Sequence, residues 1–197
     1  MKMENMTRLV KLQDIADIRS GYPFRGRIEP VVVGTHRVIQ IKDIGTNHRV
    51  KEEGLFLINM PSSADSYLIK PGDVLFQSRG SRNFGTPIPA PLPRTIASGH
   101  LFVIRPHQNI LPEYLAWFIN QPAAQVHIRA HQRGSYVPLI PKDALSELEV
   151  AVPAIEIQQS IVELERLRIK EEELQRAICV KRAQLIQSVC ANLARRR

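Results

Sequence analysis

The chain has 197 residues, with 27 Lys or Arg against 19 Asp or Glu, so its formal net charge at pH 7 is +8. Apolar residues make up 44% and charged residues 23%, a globular composition that excludes a disordered tail. No apolar run approaches the roughly 18 residues that a membrane-spanning helix needs, and the positive surplus favours a polyanionic partner, either nucleic acid or an anionic membrane surface.

The first six residues argue against export. Glu4 and Asn5 stand where a secretory signal peptide would have its apolar stretch. We therefore predict a soluble, cytoplasmic protein with no membrane partner.

Residues 1–153 have the pattern of mixed α and β structure. Short apolar runs bounded by Gly, Pro and Asn predict strands. The predicted strands are Arg37–Ile41, Asp73–Phe76, His100–Ile104 and Glu149–Val152. Between Pro87 and Pro93 every second residue is proline, which predicts an extended loop.

Prolines also mark the starts of three predicted helices, because proline is favoured in the first helical turn. One helix runs from Pro112 to Ile119, a second from Pro122 towards His131, and a third begins at Pro141. The fold class predicted for the chain is α+β, with one compact mixed domain over residues 1–153.

Residues 154–197 contain no proline and no glycine, and they predict one long helix. Apolar residues spaced by three, four and seven form a stripe along one side of it. The stripe consists of Ile157, Ile161, Leu164, Leu167, Leu174, Ile178, Leu185, Val189 and Leu193. Glu171–Glu173 and Lys181–Arg182 interrupt it. A stripe of this length needs a partner helix, so these residues are predicted to form a dimerisation surface.

The motifs of several enzyme classes are missing. The sequence has no glycine-rich cofactor loop, no Pro-Pro pair of the kind that seats a target base in amino-methyltransferases, no phosphate-binding GxxxxGK[ST] and no GxSxG. A metal-dependent nuclease would require an acid where Gln40 precedes Ile41 and Lys42. His127 and His131 could hold a metal only with a third ligand. We predict a non-catalytic protein with no cofactor and no metal.

Three basic segments carry the residues expected to contact nucleic acid, because arginine, lysine and hydroxyl side chains bind phosphates and base edges. The candidates, with Lys42 added, are Tyr22, Arg25, Arg27, Lys42, Arg79, Ser81, Arg82, Asn83, Arg129, Arg133, Ser135 and Tyr136. The alternatives are a solvated turn at Arg79–Asn83, a plain helix-end loop at Arg129–Tyr136, and a core position for Tyr22 and Phe24.

The order of several segments resembles the specificity subunit of type I restriction–modification enzymes over nearly the whole chain. These segments are LQDIADIRSGYPFRG (Leu12–Gly26), RVIQIKDI (Arg37–Ile44), YLIKPGDVLFQSRGS (Tyr67–Ser81), LPEYLAWFIN (Leu111–Asn120) and GSYVPLIPKDALSELEVAVPAIEIQQSIV (Gly134–Val162). The resemblance implies a target-recognition domain that reads half of a split double-stranded DNA site. It also implies a spacer helix that packs on a second such helix and docks methyltransferase subunits. Whether a restriction/translocase subunit takes part is left open.

The sequence departs from the family pattern in two places. Where family members have Pro-Pro-Leu-x-x-Gln before the helix, this chain has Pro153 followed by Ala154 and, later, Gln158. Members also carry two recognition domains and two spacer helices, whereas this chain has one of each. It is therefore either a half subunit that dimerises or a piece of a longer one. The apolar stripe favours a homodimer through an antiparallel coiled coil. The alternative function is an interaction protein or decoy that binds methyltransferase subunits without reading DNA.

Overall fold

The computed structural model describes residues 8–134 and 136–195. The signal-peptide argument on residues 1–6 therefore falls outside the described residues, as does Ser135. The chain divides into two compact units, one ending at Gln159 and one beginning at Ser160. The first unit is mixed α+β and the second is helical, which confirms the predicted fold class.

Nine strands and five helices form the described part of the chain. The strands are β1 (Arg8–Lys11), β2 (Ala16–Ser20), β3 (His36–Ile39), β4 (Phe56–Ile58), β5 (Val74–Gln77), β6 (Gly85–Pro87), β7 (Thr95–Ala97), β8 (Leu101–Pro106) and β9 (Glu149–Val152). The helices are α1 (Leu12–Ile15), α2 (Pro112–Ile119), α3 (Pro122–Ala130), α4 (Lys142–Ser146) and α5 (Ile155–Ala194). Short 3₁₀ turns occupy Ile41–Asp43 and Ser62–Tyr67.

The central sheet is antiparallel, with strand order β2-β8-β5-β6. Alternate residues of β5 enter different cores because side chains alternate between the faces of a sheet. Val74 and Phe76 belong to the core that α2, α3 and α4 cover, while Leu75 packs with Ile39 and Ala97. Coverage on both faces explains why β5 and β8 are almost continuously apolar in sequence.

A second sheet has the order β4-β3-β7, with β3 antiparallel to β4 and parallel to β7. Strand β3 ends at Ile39, before the predicted end at Ile41, because the chain turns there. The Asp43 carboxylate accepts a hydrogen bond from the Gln40 amide at 2.8 Å and holds the 3₁₀ turn that carries Lys42.

The prediction of an extended loop from Pro87 is wrong at its first residue. Pro87 is the last residue of β6 rather than part of a loop. Strand β6 lies at the edge of the central sheet, where a residue without an amide hydrogen is tolerated. Strand β9 has the predicted bounds, and its antiparallel partner β1 was not predicted.

The helices α2 and α3 begin at Pro112 and Pro122, as predicted. Gln158, in the first turns of α5, is fully buried. Its amide accepts from the Leu111 N–H at 3.0 Å and donates to the carbonyls of Asn109 and Pro153 at 3.1 and 3.0 Å. The start of α5 therefore belongs to the first unit, which continues to Gln159.

Helix α5 has 40 residues. Ion pairs three and four residues apart support it along its own surface, with Arg166 on Glu163 and Arg168 on Glu165 and Glu172. The apolar stripe is exposed through most of its length: 67% at Leu164 and 64% at Leu185.

Candidate nucleic-acid interface

A cleft of about 1020 Å³ opens on the first unit. Its walls come from five separate segments of chain, and three of the predicted basic residues line it: Arg27, Lys42 and Arg79. The cleft thus brings together cations that lie far apart in sequence. Its remaining lining residues are Pro23, Phe24, Gly26, Ile28, Glu29, Pro30, Gln40, Ile41, Phe56, Ser98, Gly99 and His100.

Lys42 is positioned by the 3₁₀ turn that follows β3. Its ammonium group lies 3.4 Å from the centre of the Phe56 ring, a cation–π contact that orients the long side chain. An ammonium held in this way at a cleft wall can bind a phosphate oxygen.

Arg79 is held by the loop that follows β5. The preceding residue, Ser78, is buried, and both its amide and its hydroxyl donate to the His100 carbonyl, at 3.1 and 2.8 Å. Gly80 has φ +90°, a conformation that side chains disfavour, so a glycine is needed at this turn. The Arg79 side chain itself is exposed.

The two predicted basic loops, Ser78–Asn83 and Arg129–Tyr136, lie together in the structure. The Ile140 amide donates to the Ser78 carbonyl at 2.8 Å, and the Gly80 amide donates to the Pro138 carbonyl at 2.9 Å. Arg133 and Leu139 exchange backbone hydrogen bonds of 2.8 and 2.9 Å. We call the two hydrogen-bonded segments, 78–83 and 133–140 without Ser135, the paired loops. Ser81, Arg82 and Arg133 are exposed on them without lining the cleft, and Arg129 is exposed in the last turn of α3. Tyr136 is also exposed, by 97%.

Two predicted residues have structural contacts instead. Asn83 is buried, its amide donates to the Gln77 carbonyl at 2.8 Å, and its carbonyl oxygen accepts from Gln132 at 2.6 Å. Tyr22 packs against Phe24 and Tyr67, with ring centres 4.9 and 5.1 Å away. Asn83 therefore closes its own loop, and Tyr22 favours the core alternative.

The chain around the cleft and the paired loops is predominantly basic. From Val74 to Lys142 the sequence contains six arginines and a single acid, Glu113. Among the residues that line the cleft, Glu29 is the one acid. His100 lines the cleft and was not among the predicted site residues; the available signal for it was its place in the part of this stretch before Glu113, which contains no acid.

His100 adds a titratable group to the cleft. Burial lowers the pKa of its imidazole below the ordinary value, and the neighbouring Arg79 charge lowers this pKa further. The side chain is therefore neutral at pH 7, and a phosphate bound nearby would favour its protonated form.

We accordingly expect affinity for duplex DNA to rise as the pH falls from about 7.5 to 5.5, because binding then takes up a proton at His100. Fluorescence anisotropy at constant ionic strength measures this. His100→Gln should flatten the pH dependence, whereas His107→Gln, at an exposed histidine beside Asp17, should leave it unchanged. An unaltered slope in His100→Gln would contradict the assignment.

Within residues 8–134 and 136–195 no group of three or more His, Cys, Asp or Glu side chains is arranged to hold a metal ion. The helices in those ranges include none that is long and apolar enough to cross a membrane. His131 is exposed, and its Nδ1 lies 2.8 Å from the His127 carbonyl oxygen.

The cleft lies on a mixed α+β domain that is continuous in sequence with a 40-residue helix, and its basic side chains suit a polyanionic ligand. The family model described as "Type I restriction modification DNA specificity domain" matches residues 3–171. The chain belongs to this family, as its segment order predicted. A comparison with curated protein sequences finds no match.

Solved structures that share the fold include three from type I restriction–modification systems. The type I restriction–modification S subunit from M. genitalium has 13% identity and a TM-score of 0.57, over 93% of this chain and 45% of that one. The HsdS subunit from Thermoanaerobacter tengcongensis has 19% identity and a TM-score of 0.60, over 93% and 41%. A chain from a structure on complex assembly and conformational transition of the type I R-M system has 20% identity and a TM-score of 0.60, over 95% and 44%. This chain spans less than half the length of each.

Proposed function

We propose that this chain is a non-catalytic specificity subunit that reads one half of a bipartite DNA site through the cleft and the paired loops. The observation that carries the proposal is the convergence of Arg27, Lys42 and Arg79, from three distant segments, on one cleft. Arginine can pair bidentately with guanine, and lysine can bind phosphate as a point charge. We propose that the protein acts in the cytoplasm.

We further propose that it docks DNA methyltransferase (modification) subunits. Family membership supports this, since a specificity subunit without its own catalytic motifs must direct another protein's chemistry. The decoy alternative shares the docking role but requires no base-reading side chains in the cleft.

The third part of the proposal is a homodimer through α5. Glu171 and Lys181 occupy heptad positions that the stripe otherwise fills with apolar residues. In an antiparallel pair symmetric about Arg176, Glu171 lies opposite Lys181. The same register sets Leu174 opposite Ile178 and Leu167 opposite Leu185. A parallel pair would instead place Glu171 against its own copy, which costs free energy.

Selection from a randomised duplex library tests the function. The chain should enrich one sequence motif, and it should switch on methylation at that motif when added to a type I modification subunit. The chain alone should transfer no methyl group and cut no DNA. Enrichment of no motif, with methyltransferase binding retained, would favour the decoy. Metal-dependent cleavage by the lone chain would contradict the proposal.

A further inference from the structure

An exposed loop of three valines adjoins the cleft. Val31, Val32 and Val33 are exposed by 38%, 97% and 81%. The loop continues directly from Glu29 and Pro30, which line the cleft wall. No basic residue, hydroxyl or sequence motif marks this loop as a site.

Both ends of the loop are fixed to β4 by backbone hydrogen bonds. The Val31 amide donates to the Leu57 carbonyl at 2.8 Å, and the Thr35 amide donates to the Ile58 carbonyl at 3.0 Å. At Gly34 a Cβ would lie 2.8 Å from the backbone N and O of Ile58, so this close approach requires glycine. The base of the loop is therefore set before any partner binds, while its tip stands in solvent.

The chemistry of the tip restricts its partner. Val32 and Val33 can offer methyl groups alone, on short branched side chains that lose little rotamer freedom on contact. The cleft whose wall continues into this loop is lined by Arg27 and Lys42, which suit a polyanion. On the base edges of duplex DNA the apolar group in the major groove is the C5-methyl of thymine.

We infer that Val32 and Val33 contact thymine C5-methyl groups of the half-site bound in the cleft, and so select A·T pairs at the positions they reach. This inference rests on the proposed function, since it requires the cleft to hold DNA. The continuity of the loop with the cleft wall favours DNA over a protein partner as the occupant.

Replacement of thymine by deoxyuridine tests the contact, because it removes the C5-methyl and leaves the hydrogen-bonding groups unchanged. The probe is the duplex selected from the randomised library, and the readout is its dissociation constant from the full chain. The unmodified protein should bind the uracil duplex about fourfold more weakly for each contacted methyl. The variant with Val32→Ala and Val33→Ala should bind both duplexes alike. Val180→Ala is the matched control, at a valine 55% exposed on α5 and two residues beyond stripe residue Ile178.

Equal affinity of the unmodified protein for the thymine and uracil duplexes would overturn the inference, as would a valine double variant that still distinguishes them. A double variant that keeps this discrimination but loses binding to the modification subunit would assign the loop to a protein contact and also overturn it. Arg79→Ala distinguishes a failure of the thymine contact from a failure of the proposed DNA-binding function. If Arg79→Ala weakens DNA binding while the valine loop has no effect, only the thymine contact fails; if neither has an effect, the proposed function fails.

Discussion

Leu174→Glu combined with Ile178→Glu should convert the protein from a dimer into a monomer. These residues are 56% and 51% exposed on α5 and would lie opposite each other in the antiparallel pair. Two glutamates at that layer would have to be buried without counter-charges. The free-energy cost of burying them exceeds the stabilisation that helix pairing provides. Sedimentation velocity measures the outcome. Val180→Glu, off the stripe, should remain dimeric, and a monomeric unmodified protein would contradict the proposal.

The direction of pairing can be tested by exchanging charges. In the antiparallel register Glu171→Lys sets lysine against Lys181, so the dimer should weaken. Adding Lys181→Glu to the same chain should restore it, because opposite charges then face each other again. In a parallel pair each residue faces its own copy, so the single change would replace one like-charge contact by another. Unchanged dimer stability in Glu171→Lys would therefore contradict the antiparallel register.

The same pairing predicts the form of the DNA target. Each recognition domain precedes its helix in the chain, and a two-fold antiparallel pair turns one copy over relative to the other. Two identical recognition domains related by this two-fold axis bind an inverted repeat with a gap between its halves. A helix of 40 residues is about 60 Å long, which limits the gap to fewer than roughly 18 base pairs at about 3.4 Å each. A selected site without two-fold symmetry would remove the basis for this model.

Arg79→Ala should produce the largest loss of sequence-specific binding among single changes in the cleft. If the guanidinium reads a base, its removal should cost about 1–3 kcal/mol on the selected duplex and relax the preference at one position. Lys42→Ala should instead weaken binding to all duplexes alike and reduce the slope of log K against log salt by about 1, as expected for a phosphate contact.

Titrations of selected and scrambled duplexes over a range of salt concentrations separate these two effects. Arg82→Ala and Arg133→Ala, on the paired loops, extend the series from the cleft to the adjacent surface. Arg166→Ala, at an arginine of α5 paired with Glu163, is the matched control and should change neither quantity. Normal affinity in the Arg79, Arg82 and Arg133 variants alike would show that the interface is misplaced.

Local patterns in the sequence were sufficient to predict the long helix and the first residues of α2 and α3. A stretch without proline or glycine, with apolar residues three and four apart, specifies a helix without information from elsewhere, and α5 begins one residue after the predicted boundary. A proline in the first turn of a helix likewise predicts the start of that helix from the local sequence alone. Basic composition and segment order were likewise sufficient to indicate a DNA-specificity protein.

Tertiary structure alone decided where the side chains of the candidate site lie. Strand β3 pairs with β7, more than fifty residues later in the chain, and no local pattern encodes that partner. This pairing places residues 40–42 near 98–100, and the hydrogen bonds of Ser78 hold the neighbouring Arg79 at the same cleft. Other tertiary contacts decide that Asn83 is buried, that His100 joins Arg79 at the cleft, and that the three valines stand exposed beside it. Burial depends on which distant segments pack together, and residue type by itself does not carry that information.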